Sequence, residues 1–172
     1  MTKPSSIGPI VSAAHLAEGG MAPLSEVEFS LTVLTNAFQR WTVRGMSAAG
    51  YPGLSHVEVL ILHAANHRSR EKTLSDLCMT FNIEDTHVVA YALKKLEGMG
   101  LIETGRRGKE KTVKVTEAGA AACLRYRDIR EELLVKSVRA LNFDEKQLST
   151  IAALMHALSG QYDQAARAAA SL

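Results

Sequence analysis

The sequence predicts a mainly α-helical fold with one small antiparallel β-hairpin and helices at both ends. Two observations carry that prediction. Apolar residues recur at helical spacing in several segments, each opened by a capping signal. The period switches to alternation once, just after Gly100. The chain has 172 residues, 47% hydrophobic and 22% charged. That suits one domain with helical extensions and a core that needs no staples. Two distant cysteines, Cys78 and Cys123, exclude a disulfide framework and a four-thiolate zinc site. No apolar run reaches the roughly 20 residues of a membrane helix, so no membrane partner is expected.

Residues 1–24 hold Gly8, Gly19, Gly20 and three of the four prolines without a sustained period, and read as a flexible arm. The arm lacks the continuous apolar stretch of a signal peptide, so the expected location is cytoplasmic. Order is expected to begin at Ser25-Glu26-Val27-Glu28, a capping box, followed by Phe29, Leu31, Leu34, Ala37, Phe38 and Trp41. This segment and its Gly/Pro-rich end span residues 25–53. A second box, Ser55-His56-Val57-Glu58, opens the very apolar VEVLILHAANH, which should be a central core helix. Thr73 caps a short helix through Met79. Phe81-Asn82-Ile83-Glu84 turns the chain, and Asp85 or Glu84 caps a helix that runs to about Met99 and stops at Gly100. Leu101–Thr104 and Thr112–Thr116 then alternate as strands around the basic turn Arg106-Arg107-Gly108-Lys109. From Glu117 a long helix runs through Leu141. Asn142-Phe143-Asp144 breaks it, and Asp144 caps the last helix.

The net charge of +2 is uninformative, but its distribution is not. Between Tyr91 and Arg130 stand ten Lys and Arg against five Asp and Glu, an excess of five positive charges that leaves −3 for the rest. Such asymmetry points to a polyanion partner for that segment. No nucleophile elbow, phosphate-cradling Gly loop or paired-carboxylate site is present, so the chain does not read as an enzyme and no cofactor is expected. His63 and His67 stand one helical turn apart, yet no third ligand is obvious. Cys78 and Cys123 lie among apolar neighbours and read as small core residues.

A short helix, a tight turn and a second helix form a helix-turn-helix, and the basic hairpin beside it would be a wing. Here the sequence resembles the MarR family of winged-helix transcription regulators. The resemblance rests on Leu54–Leu60, on Thr73-Leu74-Ser75-Asp76-Leu77, on His87–Ile102 and on Val115-Thr116-Glu117-Ala118-Gly119. It implies a winged helix-turn-helix over residues 54–119, flanked by dimerisation helices at 25–53 and 120–172. The sequence departs from the family pattern in two places. Asn82–His87 replaces a Ser/Thr-rich start of the second helix with acids and a His. Thr104-Gly105 stands before the two arginines, where the family's wing has an Asp-Arg-Arg triplet.

At about 100° per residue, Val89, Ala92, Leu93 and Leu96 share one face of the second helix, which must be core. His87, Tyr91, Lys94 and Gly98 then lie opposite, with Thr86 and Ala90 on the shoulder. Amino-terminal residues of such a helix reach base edges. Thr86, His87, Ala90 and Tyr91 are therefore the base-reading candidates, and Lys94 is a phosphate or guanine contact. Arg106, Arg107, Lys109 and Lys111 repel one another at the hairpin tip unless an anion is present, and suit phosphates along the minor groove. Thr73 and Ser75 could meet a phosphate at a helix amino end, although capping explains them equally.

The flanking segments hold more apolar side chains than a monomer covers, among them Phe38, Leu133, Leu141, Leu148, Ile151 and Leu154. A two-fold homodimer would bury them and present two recognition helices to a pseudo-palindromic operator in double-stranded DNA. The expected function is a homodimeric, sequence-specific transcription regulator. The resemblance implies a repressor, with a small-molecule effector seated between the dimer helices and the DNA-binding unit; no polar cluster here identifies one. The alternatives are a winged-helix protein-interaction adaptor without DNA binding and a metal sensor built on His63, His67 and a cysteine.

Overall fold

A computed structural model describes residues 8–142 and 144–172. The first seven residues of the expected arm, and Phe143 in the expected break, lie outside the described residues. The chain divides after Tyr126 into two compact units.

The first unit begins with α1 (Ala14–Ala17) and α2 (Ala22–Ala48). Helical order therefore starts before Ser25, and Ser25 does not cap α2. Pro23 sits in the first turn, where a missing N–H costs nothing and its fixed φ suits a helix. The buried Ser25 hydroxyl donates instead to the Leu16 carbonyl (2.7 Å), and Glu26 accepts from the Ile10 amide (3.2 Å). Residues 10–17 are thereby fastened along α2.

The other expected caps form. Ser55 and Glu58 make the reciprocal box at the start of α3 (His56–Asn66), and Thr73 and Asp76 do the same for α4 (Leu74–Phe81). Asp85 caps α5 (Thr86–Gly98) by accepting from His87 N. Asn82, at φ 53°, makes the turn between α4 and α5. The α5 core face is as expected: Val89, Leu93 and Leu96 are 0% exposed and Ala92 2%. The helix packs against α3, α4 and the first strand of the hairpin. Val59, Ile61 and Leu62 of α3, Leu77 of α4, Leu101, and Val113 of the second hairpin strand are buried in the same core.

The hairpin comprises β2 (Ile102–Arg107) and β3 (Glu110–Val115), joined by a two-residue turn in which Gly108 takes φ +66°. A third strand, β1 (Lys72–Thr73), pairs antiparallel with β3 and gives the order β1-β3-β2. Two residues are too few to show alternation, so β1 is invisible in the sequence. It matters because it ties the wing root to the start of α4.

Glu117 opens α6 (Glu117–Arg130), whose first turn lies against the strand root. A Cβ on Gly119 would stand 2.0 Å from the Leu101 carbonyl oxygen, so glycine alone fits. Further along, Arg125 donates to the Ala49 carbonyl and the Tyr51 hydroxyl, and Tyr126 meets Trp41 and His63 with ring centroids 6.1 and 4.7 Å apart.

In the second unit the helix continues through a π-helical stretch, Glu131–Val135, into α7 (Lys136–Ala140). Asp144 caps α8 (Glu145–Ala169) with Gln147 as its reciprocal partner. No described helix is long and apolar enough to cross a membrane.

Candidate nucleic-acid interface

The α5 amino end projects what the sequence reading expected. Thr86, His87, Ala90, Tyr91 and Lys94 are all exposed, Tyr91 at 70%. Lys95 belongs to the scaffold. Its ammonium lies 2.9 Å from the buried Glu58 carboxylate and donates to the Gly53 carbonyl (2.6 Å). Glu58 also accepts from the Ser55 amide (2.6 Å). One carboxylate thus caps α3 and holds α5, fixing the rotation of the exposed face. Nothing in local spacing pairs residues 58 and 95, so sequence reasoning missed this bridge.

Register sorts the basic wing residues into two sets. Arg106 stands directly opposite Lys111, while Arg107 stands opposite Glu110 and Glu103 opposite Lys114. Cross-strand partners share a face of the sheet, and successive residues alternate faces. One face of the tip therefore holds opposite-charge pairs, with Arg107 3.6 Å from Glu110 across an exposed gap. The other holds two like charges side by side, an unfavourable arrangement that an anion relieves. A shallow groove lined by Thr104, Gly105, Arg106, Lys109 and Lys111 runs along this second face. The Thr104 hydroxyl donates to Glu97 at the far end of α5, which links the hairpin to that helix. The four-residue cluster expected from sequence is thus a three-residue groove, with Arg107 beside its own counter-ion.

The α4 amino end is less suited to a phosphate than expected. Thr73 is 5% exposed, and its hydroxyl accepts from the Asp76 amide (3.0 Å). Asp76 accepts in return from the Thr73 amide (2.8 Å), which holds its carboxyl below the ordinary range. An ionised carboxylate already occupies this helix end, and only Ser75 is exposed. Thr73 is therefore a capping residue, not a surface contact.

Several other basic residues of the charge-rich window are spoken for. Arg125 is bonded internally, Arg127 pairs with Asp128 (2.8 Å) and Arg130 with Glu131 (3.4 Å). Lys94, Arg106, Lys109 and Lys111 make no ion pair among the described residues. The positive excess is thus concentrated on α5 and the wing groove.

The histidine pair does not converge on a site. His63 packs edge-on to Tyr126, and burial lowers its pKa; His67 is exposed beyond the end of α3. No three metal-ligating side chains gather among the described residues. Both cysteines are buried and free, and burial pushes the Cys123 thiol up to about 11. A thiol so protonated is a poor redox sensor.

Residues 54–119 match the family model described as a winged helix DNA-binding domain. Among solved structures, the fold is similar to a MarR family regulator from Neisseria meningitidis: 19% identity, 84% of this chain and 96% of that one covered, TM-score 0.67. It is also similar to a MarR transcriptional regulator from Methanosarcina mazei Go1: 16% identity, 88% and 99% covered, TM-score 0.66. This is the MarR winged-helix fold. A mutant MarR from E. coli, solved in complex with operator DNA, has it too, at 15% identity with 81% and 98% covered and a TM-score of 0.64. No curated protein matches this sequence. The winged-helix fold accounts for two residues of the sequence motif that carry no surface chemistry. Leu54 is buried at the entry to α3, and Gly119 makes room for the Leu101 carbonyl.

Proposed function

We propose that this MarR-fold chain is a homodimeric, sequence-specific DNA-binding transcription repressor that acts in the cytoplasm by binding rather than by chemistry. The α5 amino end would enter the major groove, and the wing groove would follow the backbone beside the minor groove. The observation that carries this reading is the pairing of an exposed α5 face, fixed in rotation by the Glu58–Lys95 bridge, with the unpaired Arg106–Lys111 face of the wing. The E. coli protein of the same fold in complex with operator DNA supports it.

Dimerisation is supported by two apolar stripes with alternating spacings of three and four residues, the pattern of a helix–helix seam. On α2 the stripe is Leu24, Val27, Leu31, Leu34, Phe38 and Trp41. Leu34 is 55% and Phe38 48% exposed. On α8 it is Leu148, Ile151, Met155, Leu158 and Tyr162, with Ile151 47% exposed. Residues 25–53 and 120–172 would thus serve assembly, and residues 54–119 DNA. A two-fold pair presents two α5 helices, hence a pseudo-palindromic operator. Selection from a random duplex library with the full-length protein tests this. The expected result is an enriched inverted repeat with half-site centres about one helical turn apart. Enrichment of no sequence would overturn it.

A further inference from the structure

The recognition helix lacks most of the side chains that read bases through paired hydrogen bonds. Residues Thr86–Gly98 include no Arg, Asn or Gln, whereas Arg or Lys matches guanine and Asn or Gln matches adenine. Of the two lysines, Lys95 is held by Glu58 and the Gly53 carbonyl, which leaves Lys94, one turn beyond the base-reading end. The first two turns expose apolar groups instead: Val88 at 40%, Tyr91 at 70%, and Ala90. Thr86 and His87 are the polar groups between them. Val88 and Ala90 flank Tyr91 on opposite sides of the exposed face. That face is followed by Lys94 and accompanied by the Arg106–Lys109–Lys111 groove, so its apolar side chains belong to a surface complementary to a polyanion.

Only one base offers an apolar feature in the major groove, and that is thymine, through its C5 methyl. We propose that α5 selects its half-site mainly by packing Val88, Ala90 and Tyr91 against thymine methyl groups, with His87 and Thr86 as the polar complement. The half-site core would then be rich in thymine. This rests on the proposed function, since it specifies what the same helix reads in duplex DNA.

Deoxyuridine differs from thymidine by that methyl alone and keeps the same pairing edge. The test uses the site selected from random duplexes and replaces each thymine in one half-site by deoxyuridine in turn. Burial of one methyl is worth about 0.8 kcal/mol, or about fourfold in affinity. The expected result is a loss of about three- to fivefold at two or more positions. In Val88→Ser and Tyr91→Ala proteins the ratio of thymine-site to uracil-site affinity should fall toward one. The uracil comparison needs no variant to fold, so it stands by itself. Equal affinity for thymine and uracil sites, or a selected half-site of guanine–cytosine pairs, overturns the inference while leaving duplex recognition intact. Failure to enrich any site overturns the proposed function and this inference together.

Discussion

Replacing Gly119 with Ala sets two physical effects against each other, and the structure decides the sign. In a helix the change gains at most about 1 kcal/mol of propensity. Against this, the new Cβ would stand 2.0 Å from the Leu101 oxygen, 3.0 Å from the Leu101 carbonyl carbon and 2.8 Å from a Val115 methyl. An ordinary carbon–oxygen approach is about 3.3–3.6 Å, so α6 and the strand root must part by more than about 1 Å. Overpacking costs about 1–3 kcal/mol, and rigid backbone belongs at the top of that range. The Leu101 carbonyl also accepts from the Thr116 amide (3.1 Å), a bond worth about 1 kcal/mol that would be strained. The net expectation is a loss of about 3 kcal/mol. At about 2–4 °C per kcal/mol for a chain of this size, Tm should fall by about 6–12 °C. Differential scanning calorimetry of both proteins at one concentration measures it. An unchanged or raised Tm would show that propensity wins and that the close approach at the wing root does not exist.

Lys95→Met should destabilise by about 1–3 kcal/mol in a urea titration. It leaves the buried Glu58 carboxylate without its cation, moderated because the Lys95 side chain is 36% exposed. His63 has a folded pKa below 6.5 through burial, so the unfolded chain binds the extra proton first. Stability should therefore decline as pH falls through about 6.5 toward the folded value. The urea midpoint should drop less between pH 7.5 and 5.5 in His63→Phe, with a residue of the effect from His56, whose shift has the same sign. A pair of charges on the α8 stripe, Ile151→Glu with Met155→Glu, should convert a dimer at micromolar concentration to a monomer by light scattering. His87→Ala and Tyr91→Ala should leave Tm nearly unchanged, because both side chains are exposed. Each should reduce discrimination between operator and random duplex by about 1 kcal/mol, the scale of one buried methyl or one single hydrogen bond.

What the sequence disclosed is what local periodicity and capping encode. The Val89-Leu93-Leu96 stripe oriented α5 correctly because a thirteen-residue amphipathic helix has one low-energy way to face a core. Ser55, Thr73 and Asp144 capped as expected, since each bonds within its own first turn. Ser25 carried the same signature but found a competitor in the Leu16 carbonyl, with Pro23 already starting the helix. The wing's basic cluster was legible, but its division into a paired and an unpaired face was not. That division depends on the two-residue turn, which sets Arg106 against Lys111. The Glu58–Lys95 bridge and the fit of Gly119 against Leu101 join residues distant in sequence, and only the assembled core brings them together.

The salt dependence of duplex binding tests the central claim most directly. Each phosphate contact contributes about 0.9 to the slope of log affinity against log salt. If the Arg106–Lys111 face of the wing neutralises phosphates, Arg106→Ala with Lys111→Ala should flatten that slope by up to about 1.8 per subunit. Specific and random duplex should lose affinity by similar factors, because phosphates carry no sequence. Arg107→Ala should change the slope less, since Arg107 stands beside Glu110 on the other face. An unchanged slope in the double variant, measured by fluorescence anisotropy across a salt series, would mean that the wing does not touch the backbone and would contradict the account.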